Sequence, residues 1–246
     1  RESRRRRAIQ HIVINTQSQA QIFALYKLTI TQRGLQRDPA DGQQHRMERQ
    51  EPDPPAAAVR EHATQHIRGP LPSIAMHEPV AHFIAECSRL KTTTAEVASL
   101  ADVPAEVARY LAAQSLEKRC AGWREFAALD WSGAGVAFDD RPANGADLIG
   151  VTGCFCGIGE TGTLLLLSAP ATPKATALLP ETHICIVRKS RIVATMEDAF
   201  ARMRDEVGEP PRATFFVSGP SRTADIEQTL VIGAHGPYRV HVILIP

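Results

Sequence analysis

The chain has no Cys-x-x-Cys pair, no apolar run of membrane-spanning length, few aromatic residues and almost no net charge. Each shortage excludes a class of protein. The five cysteines, Cys87, Cys120, Cys154, Cys156 and Cys185, are odd in number and mostly far apart. A disulfide framework, a zinc ribbon or a self-contained iron–sulfur ferredoxin needs more cysteines or closer spacing. The longest apolar stretches, such as Leu164 to Leu167 and Val242 to Ile245, fall far short of the ~20 residues of a membrane span. Lys+Arg is 28 against 27 for Asp+Glu, without the excess cation on which nucleic-acid affinity rests. What remains is 246 residues with 43% hydrophobic and 22% charged side chains. That is an ordinary globular composition, enough for one large domain or two small ones. It reads as a cytoplasmic protein with reduced thiols and no metal ligand set.

The average conceals a split. Residues 1–73 hold 12 Lys+Arg against 7 Asp+Glu, and residues 74–246 hold 16 against 20. Ten of the twelve glutamines lie before residue 66. Such a segment has too little apolar surface to offset chain entropy. The Arg4–Arg7 run, the missing initiator Met and the Gln/Arg bias lead us to expect a disordered or non-native basic leader over residues 1–56.

From residue 74 the periodicities change. Val80, Phe83, Ile84, Cys87 and Leu90 recur at three and four, which predicts a helix over 78–90. A second helix follows Asp102 as cap, with Pro104 in its first turn. A third runs over 194–207. Strands are predicted at 92–97, 120–123, 135–138, 147–152, 163–167, 183–187, 214–217 and 240–245. Several are apolar on both faces, so the pattern implies an α/β domain with a largely parallel sheet.

Two polar segments interrupt the strands. Gly157-Ile-Gly-Glu-Thr-Gly162 is a literal G-x-G-x-x-G, but a strand-like run of leucines follows where a dinucleotide site needs a helix. It reads either as a turn for tight packing or as a cradle for a small polar ligand. In the second reading Gly153, Gly159 and Gly162 expose backbone N–H groups, Thr161 and Thr163 add hydroxyls, and Glu160 adds a carboxylate. Ser218 to Glu227 reads as a strand-to-helix turn capped by Ser221 or Thr223. It offers a helix N-terminus and the fork of Arg222 to an anion. Gly219 supplies the turn, and Asp225 and Glu227 are placed to hold Arg222 or a cation. A cap with a surface salt bridge is the alternative. His235, in the Gly233–Pro237 loop, is a candidate acid/base together with Glu160. If both polar loops open at one crevice, they form a single anion site.

These segments carry a resemblance. Gly150 to Thr163, Leu178 to Val187, Ser218 to Glu227 and Gly233 to Val242 look like the lactate utilisation protein C family, whose shared unit is the LUD domain. The likeness runs from about residue 57 to the end. It implies a LUD-type α/β domain over 57–246. The implied fold is the Rossmann-like three-layer sandwich, with a mostly parallel sheet, of ribose-5-phosphate isomerase, glucosamine-6-phosphate deaminase and CoA transferases. It further implies a part in bacterial oxidation of L-lactate to pyruvate, beside partner proteins that carry iron–sulfur clusters. This chain, which lacks a cluster motif and implies no cofactor of its own, would be the cluster-free member. The ligand would be a small carboxylate or a phosphorylated or CoA-type molecule. A non-catalytic assembly or regulatory subunit of the same complex is the other function open. The resemblance supplies no catalytic residue set.

Overall fold

A computed structural model describes residues 64–65, 76–223, 231–233 and 235–246 of the chain. The expected leader, Asp225 and Glu227 lie outside the described residues. The elements that follow all belong to one compact unit. In chain order they are α1 (Pro79–Arg89), β1 (Thr93–Glu96), α2 (Val103–Ala113), β2 (Arg119–Gly122), β3 (Ala137–Asp139), β4 (Ile149–Gly153), β5 (Cys156–Ile158) and β6 (Thr163–Leu167). Then come α3 (Ala175–Leu178), β7 (Thr182–Arg188), β8 (Ile192–Val193), α4 (Met196–Val207), β9 (Thr214–Val217), β10 (Arg222–Thr223), β11 (Val231–Ile232) and β12 (Arg239–Ile245). No helix among the described residues is long and apolar enough to cross a membrane.

Six strands form the main sheet in the order β1-β12-β7-β4-β2-β3. Every neighbouring pair in it is parallel. The fold is therefore the α/β class expected from strands apolar on both faces. All five residues of β4 and six of the seven of β7 are buried, as a parallel sheet covered on both faces requires. The helices bury the faces that their spacing implies. Phe83 and Cys87 of α1 and Val103, Val107 and Leu111 of α2 are fully inaccessible. Asp102 does not cap α2 with its side chain. Its carboxylate instead accepts from the Ser99 N–H at 2.9 Å and the Ser99 hydroxyl at 2.8 Å. That holds a 3-10 turn, Leu100–Asp102, ahead of the helix.

A second sheet, β8-β5-β6-β9, stands beside the mostly parallel one that was expected. In it β6 pairs antiparallel with both β5 and β9. The leucines of β6 are apolar throughout because both faces are covered. Leu164 and Leu166 join the main core, whereas Leu165 packs with Cys156, Ile158 and Ala199 of α4. A second correction concerns the expected helix at Ser221 or Thr223. Residues Arg222–Thr223 are extended and pair antiparallel with Val231–Ile232, so no helix N-terminus stands at that point.

Candidate functional site at the carboxyl edge of the parallel sheet

In open parallel sheets ligands bind outside the carboxyl ends of the strands. Here β4 ends at Gly153, β7 at Arg188 and β12 at Ile245. The three ends line a crevice of about 270 Å³ together with Glu125, Cys154, Phe155 and Arg191. Glu125 comes from the 3-10 turn Arg124–Phe126 that follows β2. Its carboxylate lies directly over Gly153, where an added Cβ would stand 2.9 Å from Oε1. A side chain at Gly153 would push Glu125 aside.

The charges in the crevice are arranged unequally. Arg191 is engaged: its Nε donates to the Phe155 carbonyl at 2.9 Å, its Nη1 to Glu206 at 2.7 Å, and its guanidinium lies over the Phe155 ring. Arg188 is exposed and takes part in no ion pair among the described residues. Desolvation lifts the Glu125 carboxyl above its ordinary range, and the nearby Arg188 charge pulls the other way. Interaction with the Cys185 thiol and burial hold the Cys154 thiol well above the ordinary thiol range. Burial likewise pushes Cys156 up to about 12. Both are protonated thiols at neutral pH, suited to packing and not to nucleophilic attack. No group of three or more His, Cys, Asp or Glu side chains among the described residues is arranged to hold a metal ion. The crevice can thus offer a guanidinium in no ion pair among the described residues and one carboxyl group.

The site residues expected from sequence divide into three places. Gly153 lines the crevice. Gly159, Glu160, Thr161, Gly162 and Thr163 lie beneath α1 and at the start of α4. There a Cβ on Gly162 would stand 2.7 Å from the Cys87 nitrogen, and one on Gly159 would stand 2.8 Å from the Met76 sulfur. Glu160 Oε1 accepts from the Met196 N–H at 2.9 Å. Desolvation raises its carboxyl, while that hydrogen bond works against the rise. The third place holds Gly219, Ser221, Arg222 and the extended residue Thr223. Arg222 Nη2 donates to the Leu90 carbonyl at 2.6 Å. The Ser221 N–H donates to the Pro237 carbonyl and the Gly233 N–H to the Ser221 carbonyl, both at 2.9 Å. This ties the turn to the loop of His235, which is exposed. The two polar loops do meet, through the Thr161, Thr163 and Ser218 hydroxyls at 2.8 and 2.7 Å.

Glu125 and Arg188 were missed by the sequence reasoning. The signal for Arg188 was present: it is the first charged residue after the buried run of β7. Glu125 has no such marker, because only the turn after β2 turns it over Gly153.

Residues 139–245 match the LUD domain. The same stretch is similar to proteins named lactate utilization protein C. Relatives of this LUD domain include the lactate utilization protein C of Deinococcus radiodurans, 38% identical over 118 residues, which are 46% of this chain and 55% of the relative. That of Bacillus subtilis is 37% identical over 100 residues, covering 39% and 42%. An uncharacterized protein of Neisseria meningitidis is 38% identical over 96 residues, covering 39% and 41%. The chain therefore spans about half the length, or less, of these relatives. A crystal structure of a DUF162 family protein from Deinococcus radiodurans shares the fold, with a TM-score of 0.52 and 24% identity. It covers 70% of this chain and 99% of that one.

Proposed function

We propose that the chain serves bacterial L-lactate utilisation as a cluster-free subunit. It works in the cytoplasm beside iron–sulfur partner proteins and holds a small hydroxy- or keto-carboxylate in the carboxyl-edge crevice. The observation that carries this reading is that Arg188, free of any ion pair among the described residues, and the Glu125 carboxyl line one crevice at the carboxyl edge of the sheet. A guanidinium fork binds a planar carboxylate through two parallel hydrogen bonds. Glu125 then faces the neighbouring hydroxyl or keto oxygen, where a carboxyl of raised pKa can take or give a proton. The names of the relatives supply the substrate class.

Calorimetric titration of the full chain with L-lactate and with pyruvate tests the reading. Arg188→Ala is expected to weaken binding by roughly ten- to a hundredfold, at ~1.5–3 kcal/mol for each charge-assisted hydrogen bond. Arg188→Lys should recover only part of it, because a point charge does not replace a planar fork. Equal affinity in wild type and Arg188→Ala, or no binding of either acid, would overturn the proposal.

A further inference from the structure

A second cavity lies at the opposite, amino-terminal edge of the main sheet, where β1 begins at Thr93 and β12 at Arg239. It has a volume of about 280 Å³, and its lining includes Lys91, Thr93, Tyr110, Arg222, Tyr238 and Arg239. Three of these carry positive charge, and no carboxylate lines the cavity. None of the three is in an ion pair among the described residues. The two arginines are held in place by other contacts. Arg222 is anchored on the Leu90 carbonyl at 2.6 Å. Arg239 lies over the Tyr238 ring, 4.9 Å from its centroid. Lys91 sits at φ 70°, a left-handed conformation that ends α1 and that glycine adopts with far less strain.

The floor of the cavity is an ordered polar chain. Thr93 Oγ1 lies 2.8 Å from His241 Nδ1, and His241 Nε2 faces Glu106 Oε1 at 3.4 Å. The imidazole is 2% exposed and stacks on Tyr110, with ring centroids 4.0 Å apart. The Thr93 hydroxyl also donates to the Val240 carbonyl at 3.5 Å. Thr93, held by His241, and Tyr110, held by ring stacking, thus line the cavity together with three cations. Gathering like charges around one cavity is unfavourable unless an anion joins them.

We infer that this amino-edge cavity is an anion site for a phosphate group, separate from the carboxyl-edge crevice and independent of the function proposed for it. A phosphate carries close to two charges near neutral pH and three strong acceptor oxygens. That matches three cations lining one cavity better than a singly charged carboxylate does. His241 acts as a positioning residue: it holds the Thr93 hydroxyl and does not touch the ligand.

The test uses the full chain and two probes, inorganic phosphate and a phosphate monoester such as glycerol phosphate, in calorimetric titration. Lys91→Gly is the informative variant, because glycine accepts φ 70° and removes only the side chain. We expect Lys91→Gly to melt no lower than wild type and to bind phosphate about tenfold more weakly, and Arg239→Ala to bind at least as weakly. Arg188→Ala, at the other edge, should leave phosphate affinity unchanged. Tighter binding of the monoester supports the site with a phosphorylated metabolite as its source. Equal binding of both probes supports it with free phosphate as the source. No binding of either probe by wild type, or unchanged affinity in folded Lys91→Gly and Arg239→Ala, overturns the inference.

Discussion

Among single residues, Gly150 shows how tightly the molecule constrains its glycines. A Cβ there would stand 1.9 Å from the Thr176 carbonyl oxygen, in the short helix α3 that rests on β4. The obstacle is backbone, so it cannot swing away as a flexible side chain would. We expect Gly150→Ala to lose about 1–3 kcal/mol, the range for overpacking a dense core. Each kcal/mol lowers Tm by roughly 2–4 °C in a domain of this size. Gly145→Ala is the control, because nothing lies within 4 Å of its added Cβ. It should stay within about 0.5 kcal/mol of wild type. Thermal melts of both variants decide the matter, and equal melting would show that α3 yields to the methyl. The glycine-rich character of residues 150–162 was legible in the sequence, but the reason for each glycine was not. Gly150 answers to α3, Gly153 to Glu125, and Gly162 to the end of α1, and each of those partners is distant in the chain.

At the scale of elements, α4 shows a loop residue serving a helix. The Thr195 hydroxyl accepts from the Asp198 N–H, and the Asp198 carboxylate accepts from the Thr195 N–H, a reciprocal capping box. Glu160 satisfies a further donor, the Met196 N–H, from outside the helix. A residue read from sequence as a candidate acid is thereby engaged at a helix N-terminus. We expect Thr195→Ala to cost about 1 kcal/mol. Glu160→Gln keeps an acceptor for that N–H and removes a charge that burial, Glu197 and Asp198 disfavour, so it should stay within about 0.5 kcal/mol of wild type. Urea denaturation reads both, and a neutral Thr195→Ala would mean that α4 is held by packing alone. Helix and strand positions were mostly legible from periodicity, β6 and β9 to the residue. Their sheet was not. An apolar run on both faces reports that both faces are covered, which the main core and α4 do for β6 as well as a parallel neighbour would. Nor did local signals show that Arg222 begins a strand. Its partner β11 and its anchor on Leu90 are both tertiary.

In the molecule as a whole, two buried histidines on adjacent central strands couple folding to pH. His183 of β7 is fully buried with its Nε2 2.7 Å from the Thr152 hydroxyl, and burial lowers its pKa to about 4. His241 of β12 is also lowered to about 4, mainly by burial and against the pull of Glu106. In the unfolded chain both titrate near the ordinary value of ~6.5. Between pH 6.5 and 4 the unfolded state therefore binds protons that the folded state refuses, and stability rises with pH across that window. The contribution is complete above ~6.5 and is lost as pH falls toward about 4. Each histidine adds up to ~1.4 kcal/mol per pH unit to the slope. Carboxylates contribute to acid unfolding too, so the histidine share must be taken as a difference. His183→Gln keeps a donor or acceptor near Thr152 and removes one titrating group. Urea denaturation of wild type and variant at half-unit steps from pH 4.5 to 7.5 should give a slope for the variant shallower by up to one proton's worth. The two curves should run parallel above pH ~7, where neither histidine binds a proton. Identical slopes through the acid window would mean that His183 is protonated in the folded sheet.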